Sequence, residues 1–432
     1  MTALPSSGRG DAVAAGRTDS RRWPLVLRNR AFGTVWLGQV LAQAAMRMFQ
    51  VGVSWWIVAH TVRDSPGLAS GVFMAACTLP AVALAPAVAT VIARFAHRSV
   101  LRNATGLAGA VSGLLALWAH QCGLPFAALL AAALSLATCQ AFFDPCLTTS
   151  VPELVDDADI EAATGFELST QSLAGLGGAL LGALTVDRAG VAGLAAGCGA
   201  AYLAAALLVS SARFRNAGIT PGPSGGSPRR PLLRILGDLP YVRRILICFT
   251  AANLFTAAVF VVIPLYTHSV LLGGGGTVAL LEASLGVGTL IGAFTGALLP
   301  GQPTVVGSYC LAVMAAALAL PGLVTNRPAV AGCLAVAGWC AGAISVRFVA
   351  LFQRLVPAAD KPGFFAVMQA ILGASLPIAS LLFGFAGDLL SPRTLCLVQG
   401  AGLVPAVRAL FLLGFRSPAP PVADPRPVGD NR

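Results

Sequence analysis

The sequence predicts an all-α membrane protein of twelve transmembrane helices arranged as two pseudo-symmetric six-helix bundles, and three observations carry that expectation. Of its 432 residues, 56% are hydrophobic and only 10% are charged, against about 25% charged in a soluble domain. So few polar groups cannot cover a water-facing surface, and lipid must be the main solvent. Apolar stretches of about 20 residues, the length needed to cross hydrocarbon, occur twelve times, with a long polar stretch after the sixth. The 48 glycines suit helices that pack closely where no hydrophobic force drives them together.

In chain order the predicted spans are 32–59, 68–93, 99–120, 124–148, 162–186 and 189–212, then 244–268, 277–299, 304–324, 328–352, 363–387 and 393–415. Residues 1–30 are polar and Arg-rich and read as a disordered tail without a cleavable signal peptide. Residues 31–212 form the first bundle, 213–240 a Pro/Gly/Ser/Arg linker, 241–415 the second bundle, and 416–432 a Pro-rich disordered tail. Basic residues set the orientation. With both termini inside, 21 of the 28 Arg and Lys lie in cytoplasmic segments and four outside (Arg63, Arg188, Arg327, Arg393), while Arg47, Arg347 and Arg408 lie within spans. The positive-inside rule then puts both ends of a multi-pass protein in the cytoplasm.

The second half echoes the first. Val151-Pro152, Gly165 and Asp187 recur as Val356-Pro357, Gly363 and Asp388, at offsets of 205, 198 and 201. An even number of spans per half makes the repeats parallel, related by an axis along the membrane normal.

The net charge of +11 does not point to nucleic acid, because the basic residues sit in short clusters between apolar stretches. Ten Cys lie mostly inside apolar segments (Cys77, Cys139, Cys198 and Cys340 among them), without CxxC or zinc spacing, and read as small buried hydrophobes. No phosphate-binding Gly loop, nucleophile elbow or His/Cys cluster is visible, so an enzyme, a cofactor and a metal site are all unexpected. Energy for any vectorial work would come from an ion gradient or from the solute's own.

Several stretches carry a family resemblance: Phe32-Gly33-Thr34-Val35-Trp36-Leu37-Gly38-Gln39, Ser65-Pro66, Leu79-Pro80, Arg94-Phe95-Ala96-His97-Arg98, Phe143-Asp144-Pro145 and Gly175-Leu176-Gly177-Gly178. Ile263-Pro264-Leu265-Tyr266, Glu282 to Gly288, Gln353 to Pro357 and Gly384-Phe385-Ala386-Gly387-Asp388 continue it. From about residue 30 to 415 the chain resembles the major facilitator superfamily, in the branch of enterobactin exporters and macrolide efflux proteins. The resemblance implies a monomeric secondary transporter of the inner (plasma) membrane that exports a small organic solute, a siderophore or a drug-like compound, in exchange for protons by alternating access. It also admits a lysophospholipid flippase, whose span-four signature is similar, or a non-transporting sensor built on the same fold. One departure stands out: the family's Gly-x-x-x-Asp-Arg loop aligns with Ala89, Ala93 and Arg94, followed by Arg98. The acid of the usual cytoplasmic latch is missing, which would ease access to an inward-facing state.

Ionisable residues inside hydrocarbon cost at least about 2.5–3.5 kcal/mol each and mark cavities, partners or proton routes. Arg47 shares one helical face with Gln39, Gln43 and Gln50, a stripe suited to a central cavity. There it either offers a bidentate group to a substrate anion or pairs with a carboxylate on a neighbouring helix. Arg347 in span ten has the same two readings. Glu282 is the first candidate for proton coupling, with Asp144 and Glu167 beside it as further candidates, each equally open to a structural role. Arg94, Arg98 and Asp388 are candidate gating residues, and the acidic run Glu153, Asp156, Asp157, Asp159, Glu161 could draw Arg94 and Arg98 to it. Arg408 reads as peripheral. Trp55 and Trp56 fit an interfacial aromatic belt or, alternatively, a substrate platform.

Overall fold

The structure is a computed structural model that describes residues 25–61, 65–156, 159–212, 214, 240–357 and 361–416. Most of both tails and of the linker, together with Arg63, Asp157 and the side chain of Glu161, lies outside those residues. Among the described residues every regular element is helical, and twelve crossings can be followed.

Ten helices are long and apolar enough to cross a membrane as they stand. One of them, Thr170–Ser211, runs for 42 residues, about twice the length a crossing needs. It breaks at Gly190, where φ is 64° and ψ −171°, a conformation open to glycine because it has no Cβ. Spans five and six are its two arms. Span one is Arg30–Trp56, extended by a π-helical turn at Ile57–Thr61; its Gln and Arg side chains dilute its apolar character. Span two comprises Pro66–Ala83 and Ala85–Arg94, interrupted at Leu84 (φ −95°, ψ 0°) between Pro80 and Pro86. His97–Gln121 and Phe126–Leu154 are spans three and four. Pro240–Ala257 with Val259–Ser269 makes span seven, and Gly275–Thr295, Pro303–Ala319, Arg327–Leu355, Lys361–Leu389 and Pro392–Arg416 are spans eight to twelve.

The entry into span one is ordered. Leu25–Arg28 forms a helical turn, and the Asn29 side chain caps span one by accepting from the Ala31 and Phe32 N–H groups. The same side chain donates to the Leu154 carbonyl at 2.7 Å, and Arg28 pairs with Asp159. These contacts fasten the start of span one to the loop between spans four and five.

An even number of crossings puts both termini on one face, here termed the terminal face; the opposite one is the far face. Within the first half span one packs along spans five and six, and span three along span six; within the second, span eight packs on span ten and span nine on span twelve. The halves touch chiefly through spans two and eleven and through spans five and eight. The approach is closest near the far face. A Cβ on Gly71 would lie 2.3 Å from the Ser380 carbonyl oxygen, and one on Gly275 equally close to that of Ala183, so only glycine permits this contact. Towards the terminal face the halves part: Ala85–Arg94 turns onto span four of its own half, with only Val88 buried. The molecule is closed at the far face and cleft at the terminal face.

Candidate functional site

At mid-span, Arg47 reaches from the first half into the second. Its Nη2 donates to Glu282 Oε2 on span eight at 2.7 Å, and its guanidinium carbon lies 4.6 Å above the Phe260 ring of span seven. Its Nη1 is 3.5 Å from Gln50 Oε1. The Glu282 side chain is 5% exposed and that of Arg47 21%. The gap lined by Arg47, Gln50, Ser54, Phe260 and Glu282 is only about 10 Å³, at the lower limit for a single water. Of the two sequence readings of Arg47, this conformation holds the paired one, and the partner belongs to the other half.

The rest of the Gln stripe turns inward. Gln39 is buried and donates to Gln43 Oε1 and to the Glu167 carbonyl, both at 3.3 Å. Gln43 donates to Asp144 Oδ1 at 3.1 Å, and Gln140 donates to the same oxygen at 2.6 Å. One turn on from Asp144, Thr148 donates to Glu167 Oε1 at 2.5 Å, while Glu167 Oε2 is buried without a hydrogen-bond partner. Asp144 and Glu167 thus share one amide-and-hydroxyl network across spans one, four and five.

At the far face two carboxylates repeat each other. Asp187, at the end of span five, accepts from the Gly275 N–H at 2.5 Å and from Trp55 Nε1 at 2.7 Å. Asp388, at the end of span eleven, accepts from the Gly67 and Leu68 N–H groups at 2.7 and 2.9 Å. Each acid caps a helix N-terminus of the opposite half, where unpaired N–H groups and the helix dipole favour negative charge. Trp55 is buried in this contact, with the His268 ring 6.2 Å away. It belongs to the seam between halves and not to a lipid-facing belt; an aromatic at a span end reads the same either way until the partner half is placed.

The other candidates lie apart. Arg347 donates to the Gly296 and Gly301 carbonyls at 2.9 and 3.0 Å, satisfying the end of span eight where it tightens into a 3₁₀ turn. Arg94 is exposed, and Arg98 donates to the Ser210 carbonyl. Two members of the acidic run have other partners: Glu153 pairs with His97 at 2.6 Å and Asp159 with Arg28. Arg408 is exposed on span twelve.

Sequence reasoning missed Phe260 and a cavity inside the second half. That cavity, of about 450 Å³, lies between spans seven, nine, ten and eleven. Ala341, Ser345, Phe348 and Phe352 line it from one face of span ten. Their spacing of four, three and four was the available signal, indistinguishable from ordinary core packing without the neighbouring helices.

Among known proteins, a profile of the Major Facilitator Superfamily matches residues 35–327, more than half of the chain. The protein belongs to the major facilitator superfamily. It is a multi-pass membrane transporter of that type. No curated protein sequence matches it. Its fold is that of an auto-inhibited peptide transporter of the POT family (TM-score 0.70, 11% identity, covering 92% of this chain and 99% of that one). It is similar as well to a bacterial homologue of the human lysosomal transporter Spinster, in an inward-facing and occupied conformation (0.69, 13%, 88% and 96%). The nucleoside transporter NupG matches equally (0.69, 10%, 89% and 99%). At these identities the shared property is the fold.

Proposed function

We propose that this protein is a proton-coupled exporter of a small organic solute, working as a single chain in the inner (plasma) membrane with both termini in the cytoplasm. The observation that carries the reading is the Arg47–Glu282 pair, a charge pair that joins the two halves at 2.7 Å beside their closed seam. Opening the far face must pull spans one and eight apart and break it. An uncompensated carboxylate in hydrocarbon is costly enough to be neutralised, so Glu282 takes a proton from the far side as that face opens. When the halves close again, Arg47 returns and the proton leaves towards the cytoplasmic cleft. The solute travels the opposite way, from the cleft to the far side, which makes the exchange an antiport. The chain's exposed cleft at the terminal face is then the loading state, and Asp187 and Asp388 act as the latch of the closed face.

The paired state of Arg47 and the carbonyl-bound state of Arg347 leave little free positive charge for an anionic siderophore, and the aromatic cavity favours a drug-like compound. A lipid substrate is the second reading, supported by the same cavity. The decisive variant is Glu282→Gln: acid-inside gradients should no longer drive solute uptake into inverted vesicles, while solute counterflow continues. Unchanged gradient-driven uptake would remove Glu282 from the mechanism.

A further inference from the structure

Building on the transporter reading, we infer that the cavity inside the second half seats the apolar moiety of the substrate, which is therefore an amphiphile whose polar end stays in the cleft between the halves. A volume of about 450 Å³ lies within the range of small-molecule sites, roughly 300–1,000 Å³. The space opens past the exposed rim residues Ser345 and Gln369, so a ligand's apolar group can enter it.

The walls are mainly apolar. Four of the lining rings, with buried Phe364 behind them, form a continuous chain from span seven through span ten to span eleven, edge-to-face except for a tilted Phe348–Phe352 contact. Phe249 meets Phe348 at 4.4 Å, Phe348 meets Phe352 at 6.3 Å, Phe352 meets Phe364 at 5.3 Å, and Phe364 meets Phe365 at 5.6 Å. Met314 and Met368 line the same space, and their unbranched thioethers adapt to irregular shapes. Among the described residues, no charged side chain lines it. Asn253 commits its amide donors to the Leu372 carbonyl and to Ser375 Oγ, at 3.1 and 2.5 Å, so its carbonyl oxygen is what it can offer a ligand. Ser345 and Gln369, exposed at the rim, make the way out polar.

Span nine keeps the space open from behind. A Cβ on Gly307 would lie 2.4 Å from Phe348 Cε2, so the glycine lets the Phe348 ring lie back against span nine. Any side chain there would drive the ring into the cavity.

An aryl group of a drug-like compound and an acyl chain of a lysolipid share this chemistry, and photolabelling separates them. Wild-type protein in nanodiscs would be labelled with a diazirine-bearing naphthylamine and, separately, with a lysophosphatidylcholine carrying a diazirine on its acyl chain. The expected adducts fall on Phe348, Phe352 and Met368. Ala341→Phe fills the cavity, and Ser345→Trp plugs its exposed rim with little risk to folding. Each should cut those adducts by about tenfold and leave adducts on lipid-facing Leu207, 73% exposed, unchanged. Labelling by one probe alone names the source; labelling by both still supports the shared apolar seat. Cavity adducts that are absent, or that persist unchanged in both variants, would overturn it. Cavity adducts without counterflow of the labelling compound would refute the transporter reading and leave the cavity. Counterflow without cavity adducts would do the reverse.

Discussion

The two halves share one fold and repeat one another's landmarks, yet their interiors are opposites. In the first, spans one, four and five bring together Gln39, Gln43, Gln140, Asp144, Thr148 and Glu167 in a hydrogen-bonded network. In the second, spans seven, ten and eleven bring together aromatic rings around an apolar cavity. What remains symmetric is the seam, where each half caps one helix of the other with an aspartate. The contrast teaches that two halves of one fold can share a seam contact while their interiors carry different chemistry. On the function proposed above, proton handling falls to the first half and the bridging pair, and solute binding to the second.

The strongest way to break this division is at the bridge. Removing one partner of a buried ion pair typically costs about 3–5 kcal/mol, so Glu282→Gln and Arg47→Met should each bring gradient-driven uptake to background and lower thermal stability. The double variant Arg47→Met/Glu282→Leu should regain stability, because an apolar pair of similar size needs no desolvated charge. It should stay uncoupled, which thermal melts and vesicle uptake would show together. Recovery of uptake in the double variant would mean that the pair is merely structural.

The next test sets half against half. Phe348→Ala should weaken binding of the naphthylamine probe by about tenfold and leave the pH dependence of transport alone. Asp144→Asn should do the opposite, cutting gradient-driven uptake by about tenfold with probe binding intact. If the two variants changed the same measurement, the division would fail. Smaller effects belong to the seam. Asp187→Asn and Asp388→Asn should each weaken far-face closure by about 0.5–1 kcal/mol, raising several-fold the rate at which an impermeant maleimide reaches a cysteine placed at buried Ser54. Similar effects from both sites would sharpen the symmetry. The least effect is expected at Glu153→Gln, whose partner His97 sits near the terminal face; a partly exposed pair is worth about 0–1 kcal/mol, and the melting temperature should barely move.

Much of the fold was legible because lipid imposes a length and a polarity on every span. The twelve crossings followed from that, and the glycine that breaks the longest helix falls at the start of the sixth predicted span, four residues past the end of the fifth. Span one shows the limit of the apolar test: its Gln and Arg residues make it the least lipid-like crossing, for the same reason that it lines the contact between halves. The site was legible only in part. One face of span one announced Arg47, but its carboxylate lies 235 residues away in sequence, and no local periodicity could name it. Asp187 and Asp388 were visible as repeated landmarks, while their capping role depends on which helices start beside them in space. Arg347 looked like a cavity residue by depth alone; the short end of span eight, with its unsatisfied carbonyls, accounts for where it points. The aromatic cavity was the least legible, since spaced Phe residues in an apolar helix are the normal signature of a core.

The central claim is that the Arg47–Glu282 pair holds the far face shut, and one distance measurement addresses it. Spin labels at Arg188 and Leu272, both exposed at the far face on opposite halves, would report the gap by double electron–electron resonance. Wild-type protein should give one short distance, and Glu282→Gln should add a longer, far-face-open population. An identical distribution in the two proteins, with uptake nonetheless lost, would contradict the account.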